Sequence, residues 1–188
     1  MGRKLHSIHV IGGDIERVSH CLATCQITNE NRHENFIAKT RKILSAYQER
    51  TATFYLLQTD NVTSIYSSYF ENHFDMTEFR SWFVGLKQTV FFLDYFDDFF
   101  CKIDIFQKYK FLTPLILQEK SHRITQQSCF HIEEIRTLFP ISESDLNVDF
   151  DFLEEYLKYF SFLFKIPFDL SLLDVIGNPK AESLSFYI

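Results

Sequence analysis

The sequence predicts an α+β fold: a largely antiparallel sheet of five to six strands, helices packed on it, and a helical C-terminal region. Three observations carry this. Strand-like segments cluster as hairpins at 51–70 and 89–117. Helical periodicities flank them on both sides, the order of an α+β chain rather than of alternating βαβ units. The 188 residues are 46% hydrophobic and 23% charged, which suffices for one core without metal or disulfides.

Residues 4–11 alternate as a strand. Gly12-Gly13 breaks it, and Asp14 is a good N-cap. Ile15, Val18, Leu22 and Cys25 then recur at helical spacing. A basic helix is expected over 33–49, with Phe36, Ile37, Ile43, Leu44 and Tyr47 inward. Thr51–Thr59 and Val62–Phe70 form a hairpin about Asp60-Asn61. A helix follows over 76–87, with Phe79, Trp82, Phe83 and Leu86 inward. Strands are expected at 89–96, 99–107 and 110–117, with turns at Asp97-Asp98 and Gln107-Lys108; Pro114 places the last at an edge.

Residues 119–128 read as a polar loop, 130–138 as a short helix ended by Pro140, and 142–149 as an acidic linker. The helix over 150–165 presents Phe150, Leu153, Leu157, Phe160 and Phe164 on one face. Phe152, Tyr156, Tyr159 and Leu163 form a second stripe, with Phe162 at its edge. Such a helix is fully buried or shared with another chain. A last short helix spans 169–176. This gives an α+β core over 1–140, with 141–188 as an acidic linker and C-terminal helices packed on the same domain.

Composition narrows the function. Aromatics reach 17%, with 22 Phe, while glycine numbers only 5. A small interior has limited room for rings that each bury ~150–250 Å². Some are therefore expected at an interface, although a genome-wide codon bias would also raise Phe. Net charge is −6: +3 over residues 1–50 and −9 over the rest, which disfavours nucleic acid as a partner. The absence of a leader-like apolar run and of a disulfide pattern points to a cytoplasmic chain with reduced thiols, not held in a membrane.

Each candidate chemistry meets a plainer reading. Gly12-Gly13 before a helix suits a phosphate cradle, yet no dinucleotide or P-loop motif is present, and Asp14 would repel an anion. Cys21 and Cys25, with Cys129 and His131, offer four zinc ligands, but buried free cysteines are ordinary and the spacing is not that of a knuckle. Asp94, Asp97, Asp98 and Asp104 are dense enough for metal-dependent phosphodiester chemistry. The nuclease pattern of acid-x-Lys fails at Asp104, which Ile105-Phe106 follow. The seven histidines are scattered, and most are expected at the surface or at strand edges.

No metal or cofactor is expected. The favoured function is a non-catalytic protein–protein interaction module, such as an inhibitor or immunity-type partner or a small subunit of a cytosolic complex. Its partner is another protein chain, self or hetero, and its predicted anchors are Phe152, Tyr156, Tyr159 and Phe162. The competing function is a nucleotide- or phosphodiester-processing enzyme built on Gly12-Gly13 or on the carboxylates between Asp94 and Asp104.

Overall fold

The computed structural model describes residues 4–24, 51–70, 82–83, 86–96, 99–120 and 123–187, excepting the side chains of Thr51, Phe186 and Tyr187. The expected helix over 33–49, most of that over 76–87, and the Asp97-Asp98 turn lie outside these residues. Among the described residues nine strands form one sheet: β1 (Lys4–Ile11), β2 (Thr51–Thr59), β3 (Val62–Tyr66), β4 (Thr89–Phe96), β5 (Phe100–Gln107), β6 (Lys110–Phe111), β7 (Leu115–Lys120), β8 (Arg123–Ser128) and β9 (Ala181–Tyr187). Their order is β8-β7-β5-β4-β1-β3-β2-β9, with β6 on β5. Every pairing is antiparallel.

The mixed α+β class and the antiparallel sheet stand, but there are nine strands rather than five or six. Three local causes account for the difference. Pro114 has no N–H for the ladder, so the strand expected over 110–117 is split into β6 and β7. The polar stretch 119–128 is a hairpin whose outer member, β8, is a largely solvent-facing edge, where apolar alternation has nothing to face. The tail, placed by the sequence within a linker-and-helix region over 141–188, is β9, which pairs Ala181–Tyr187 with β2.

Among the described residues, helical turns also occur at Phe70 and 82–83, and the helices are α1 (15–24), α2 (Ile132–Arg136), α3 (Glu143–Leu146), α4 (Leu153–Phe164) and α5 (Leu172–Ile176). They cover both faces of the sheet. Strand β4, Thr-Val-Phe-Phe-Leu-Asp-Tyr-Phe, shows why: its first five residues are all buried, as in a strand covered on both sides. On one face, Phe91, Leu93, Cys101 and Ile103 meet Leu153, Leu157, Phe160 and Phe164 of α4. On the other, Ile8, Val10, Val90 and Phe92 meet Val18 and Leu22 of α1, together with Phe70, Trp82 and Phe83.

Much of the phenylalanine is consumed here. Phe164 is fully buried, with ring centroids 4.9 Å from Phe139 and 5.8 Å from each of Phe91, Phe130 and Phe160. Burying one such side chain stabilises by about 1.5–3 kcal/mol.

Gly13 shows where the fold needs a missing side chain. A Cβ there would stand 2.8 Å from Val10 Cγ1 and 3.1 Å from Val18 Cγ2, so α1 can lie against β1 only with glycine at the corner. Gly12 takes a φ of 71°, and its N–H donates to the Asn61 carbonyl at 2.7 Å.

Candidate functional site

The four predicted anchors separate into two pairs. Tyr156 and Tyr159 are turned into the chain's own fabric. The Tyr156 hydroxyl donates to the Val148 carbonyl and accepts the Phe150 N–H, both at 3.2 Å. The Tyr159 hydroxyl donates to the Asp145 carbonyl at 2.9 Å. The Phe150 ring lies 5.0 Å from that of Tyr156 and 5.6 Å from that of Tyr159. Residues 145–150 thus fold over the second stripe of α4. Ser142 anchors that segment: its hydroxyl and N–H each donate to the Asp145 carboxylate at 2.7 Å, holding that acid below its ordinary pKa.

Phe152 and Phe162 face the other way. Phe162 is 81% exposed and Phe152 is 60% exposed. With Glu155, Lys158 and Lys165 they mark the solvent stripe of the helix, at steps of three and four. Phe152 also occupies the N-cap, where Ser, Thr, Asp and Asn are preferred because their oxygens accept orphan amide hydrogens. Phenylalanine has no such oxygen; only the returning half of the cap is made, from the Phe152 N–H to Glu155 Oε2 at 3.2 Å.

On α5, Leu173, 80% exposed, and Ile176 are further exposed apolar side chains. α5 lies in the same layer, packing Val175 against Leu57 and Tyr66 on the α4 side of the sheet. Sequence reading missed both residues, because a five-residue helix is too short to show a solvent face by periodicity. The layer is also acidic: residues 141–180 carry eight acidic residues against three lysines.

Of the carboxylates of the competing reading, Asp94 and Asp104 lie on the opposite face, and Asp97 and Asp98 lie outside the described residues. His6 stands across from Asp94, and Asp94 across from Lys102. His6 Nδ1 is 3.2 Å from Asp94 Oδ1, and Lys102 Nζ is 2.9 Å from Asp104 Oδ2. Burial raises the pKa of Asp104, and Lys102 opposes that shift. Asp104 is thereby paired with Lys102, and Asp94 lies beside His6, along one polar track. Among the described residues no group of three His, Cys, Asp or Glu side chains could hold an ion.

The glycine junction is occupied from within. Asp14 Oδ1 accepts the Arg17 N–H at 2.7 Å, and the Thr63 hydroxyl donates to the Gly13 carbonyl at 2.7 Å. Cys21 and Cys129 belong to cores on opposite sides of the sheet, so they cannot share a zinc ion; Cys25 lies outside the described residues.

One histidine departs from expectation. His9 is fully buried at the centre of the sheet. Its Nε2 lies 2.8 Å from Ser7 Oγ and its Nδ1 2.8 Å from Ser64 Oγ. Phe168 and Tyr66 meet the ring edge-on at 5.1 and 6.0 Å. Burial pulls its pKa down to about 3.

A hollow of about 240 Å³ lies where β4 begins and β5 turns into β6, lined by Phe83, Lys87, Gln88, Phe106, Lys108 and Tyr109. A second, of about 20 Å³, lies beside Lys4, Leu5, His6 and Tyr66. No carboxylate is seen in the lining of either among the described residues.

Comparison with known protein families, with curated proteins and with solved structures finds no match. No helix among the described residues is long and apolar enough to cross a membrane.

Proposed function

We propose that the protein is a non-catalytic protein–protein interaction module, acting in the cytoplasm as an inhibitor-type partner or as a small subunit of a larger assembly. One observation carries the reading: Phe152 and Phe162 stand exposed where the fold has no use for them. Phe152 even displaces the polar cap that its helix would favour. Large rings anchor interfaces by filling pockets on a partner, and the acidic groups around these two suit a partner with a basic rim. The phosphodiester reading has less to support it, since Asp104 is paired with Lys102 and Asp94 lies beside His6.

The test is affinity purification of the full chain from its native host, with mass spectrometry of co-purifying proteins. It is run in parallel with the F152S/F162S double variant, and sedimentation of both proteins reads self-association. The expected result is one or a few stoichiometric partners, or a dimer, lost in the double variant. A wild-type monomer whose co-purifying proteins match those of the variant overturns the reading.

A further inference from the structure

The hollow between β4 and β5 carries three independent marks of a site. The first is its backbone. Five non-glycine residues have positive φ among those described, and three of them, Lys87 (55°), Lys108 (48°) and Tyr109 (70°), line this one hollow. Lys108 and Tyr109 are the central pair of the β5–β6 turn, a place where Asn-Gly is usual because both residues must take positive φ. Strain of this kind concentrates where side chains are wanted for a task.

The second mark is Gln88. Its Oε1 is buried and accepts no hydrogen bond among the described residues. A buried acceptor left bare is a standing cost that a donor from a ligand would remove.

The third mark is charge. Lys87 and Lys108 are exposed at the rim, and neither has an ion-pair partner among the described residues, in a chain of net charge −6. By contrast Lys102, Lys110 and Lys158 are each matched to a carboxylate. The floor is aromatic, built from the buried Phe83 and Phe106, with the half-exposed Tyr109 ring at the side. The two ends meet here because Val90 pairs with Phe106, which brings 87–88 beside 107–109.

We propose that this hollow binds a small planar anion: one heteroaromatic ring with an N–H donor, bearing a short phosphate or carboxylate arm. The ring lies against Phe83, Phe106 and Tyr109; its N–H donates to Gln88 Oε1; the anionic arm lies between Lys87 and Lys108. Pockets for drug-sized ligands run to roughly 300–1,000 Å³. At about 240 Å³ this hollow takes one ring system with its arm outside, not a dinucleotide. The site lies on the opposite side of the sheet from Phe162, so it stands or falls apart from the interaction surface.

The experiment is ligand-observed and protein-observed NMR on the full chain, with three probes: the nucleoside 5′-monophosphates, indole-3-carboxylate and inorganic phosphate. Saturation transfer to one of the ringed probes is expected, with shifts confined to Phe83, Gln88, Phe106 and Tyr109. The monophosphates and the indole acid distinguish a phosphate arm from a carboxylate arm. Lys108→Glu should weaken the binding at least ~10-fold, the effect of reversing one contacting charge. Gln88→Leu should weaken it ~5-fold or more through the lost acceptor. Lys108→Gly serves as the control for folding: it relieves the strained φ, so it should raise the unfolding temperature while weakening binding. No shift from any ringed probe up to ~10 mM, the weak end of specific recognition, overturns the proposal. So does inorganic phosphate binding as tightly as the ringed probes, or Lys108→Gly binding as well as wild type.

Discussion

His9 should make stability depend on pH in a way that one substitution removes. The unfolded chain protonates this histidine near its ordinary value of 6.5, whereas the folded chain keeps it neutral down to about pH 3. Between those values the unfolded state holds one proton more than the native state. The His9 contribution is therefore complete above pH 6.5 and is lost as pH falls toward 3. The full span corresponds to roughly 5 kcal/mol, and lowering the pH from 8 to 4.5 should already remove about 3 kcal/mol.

The cause is desolvation without a counter-charge. Both serine hydroxyls can turn to accept from an imidazolium, but Phe168 and Tyr66 meet the ring with no carboxylate. The wild-type curve alone is not diagnostic, because buried Asp104, with its pKa raised, gives a slope of the opposite sign at acid pH. The assay is urea unfolding followed by circular dichroism, on wild type and His9→Gln, at pH steps from 8 to 4.5. Whatever the glutamine costs at pH 8, the stability difference between the two proteins should shrink by about 1.4 kcal/mol per pH unit below 6. Parallel curves would refute the reasoning, for they would mean that the folded site accepts the proton freely.

Four further outcomes follow from the geometry. Phe164→Ala should cost about 3–5 kcal/mol in denaturant unfolding, since it empties the meeting point of five rings. Gly13→Ala should destabilise by about 1–3 kcal/mol, and adding Val10→Ala should recover part of the loss by clearing the 2.8 Å contact. Phe152→Ser should stabilise the isolated chain by roughly 0.5–1 kcal/mol through the completed cap, a gain visible in the melting temperature even where partner binding is lost. Lys165→Gly should also stabilise, by up to about 1 kcal/mol, because Lys165 closes α4 in a left-handed conformation with φ of 54°.

The legible parts of the fold were those with local causes. β1, the β2–β3 hairpin, β4, β5 and the helix of 153–164 could be read from alternation, turn residues and helical spacing. The sequence did not reveal which apolar face meets which. The stripe of Tyr156 and Tyr159 looks free in the sequence because 142–149 reads as a linker and Phe150 as part of the helix itself. In the structure those residues close over it through Phe150 and through the carbonyls of Asp145 and Val148. Phe152 could have been recognised from its position, since a phenylalanine where a cap residue belongs is a local anomaly. The hollow at Lys87 and Lys108 had no such signal. It depends on positive φ at residues whose chemistry does not demand it, and on a register that brings two distant segments side by side.

The pairing of β2 with β9 also bears on how the protein is made. Thr53 and Ser185, which share a hydrogen bond across those strands, are 132 residues apart. At about 5–20 residues per second, the ribosome needs on the order of 10 s to pass from the end of β2 to the start of β9. Throughout that interval Thr-Ala-Thr-Phe-Tyr-Leu-Leu-Gln-Thr presents an open, β-prone edge with no charge on it. The nascent chain is thus most exposed to pairing with a neighbouring copy just before its last strand emerges. A holding chaperone would gain most by covering residues 51–59.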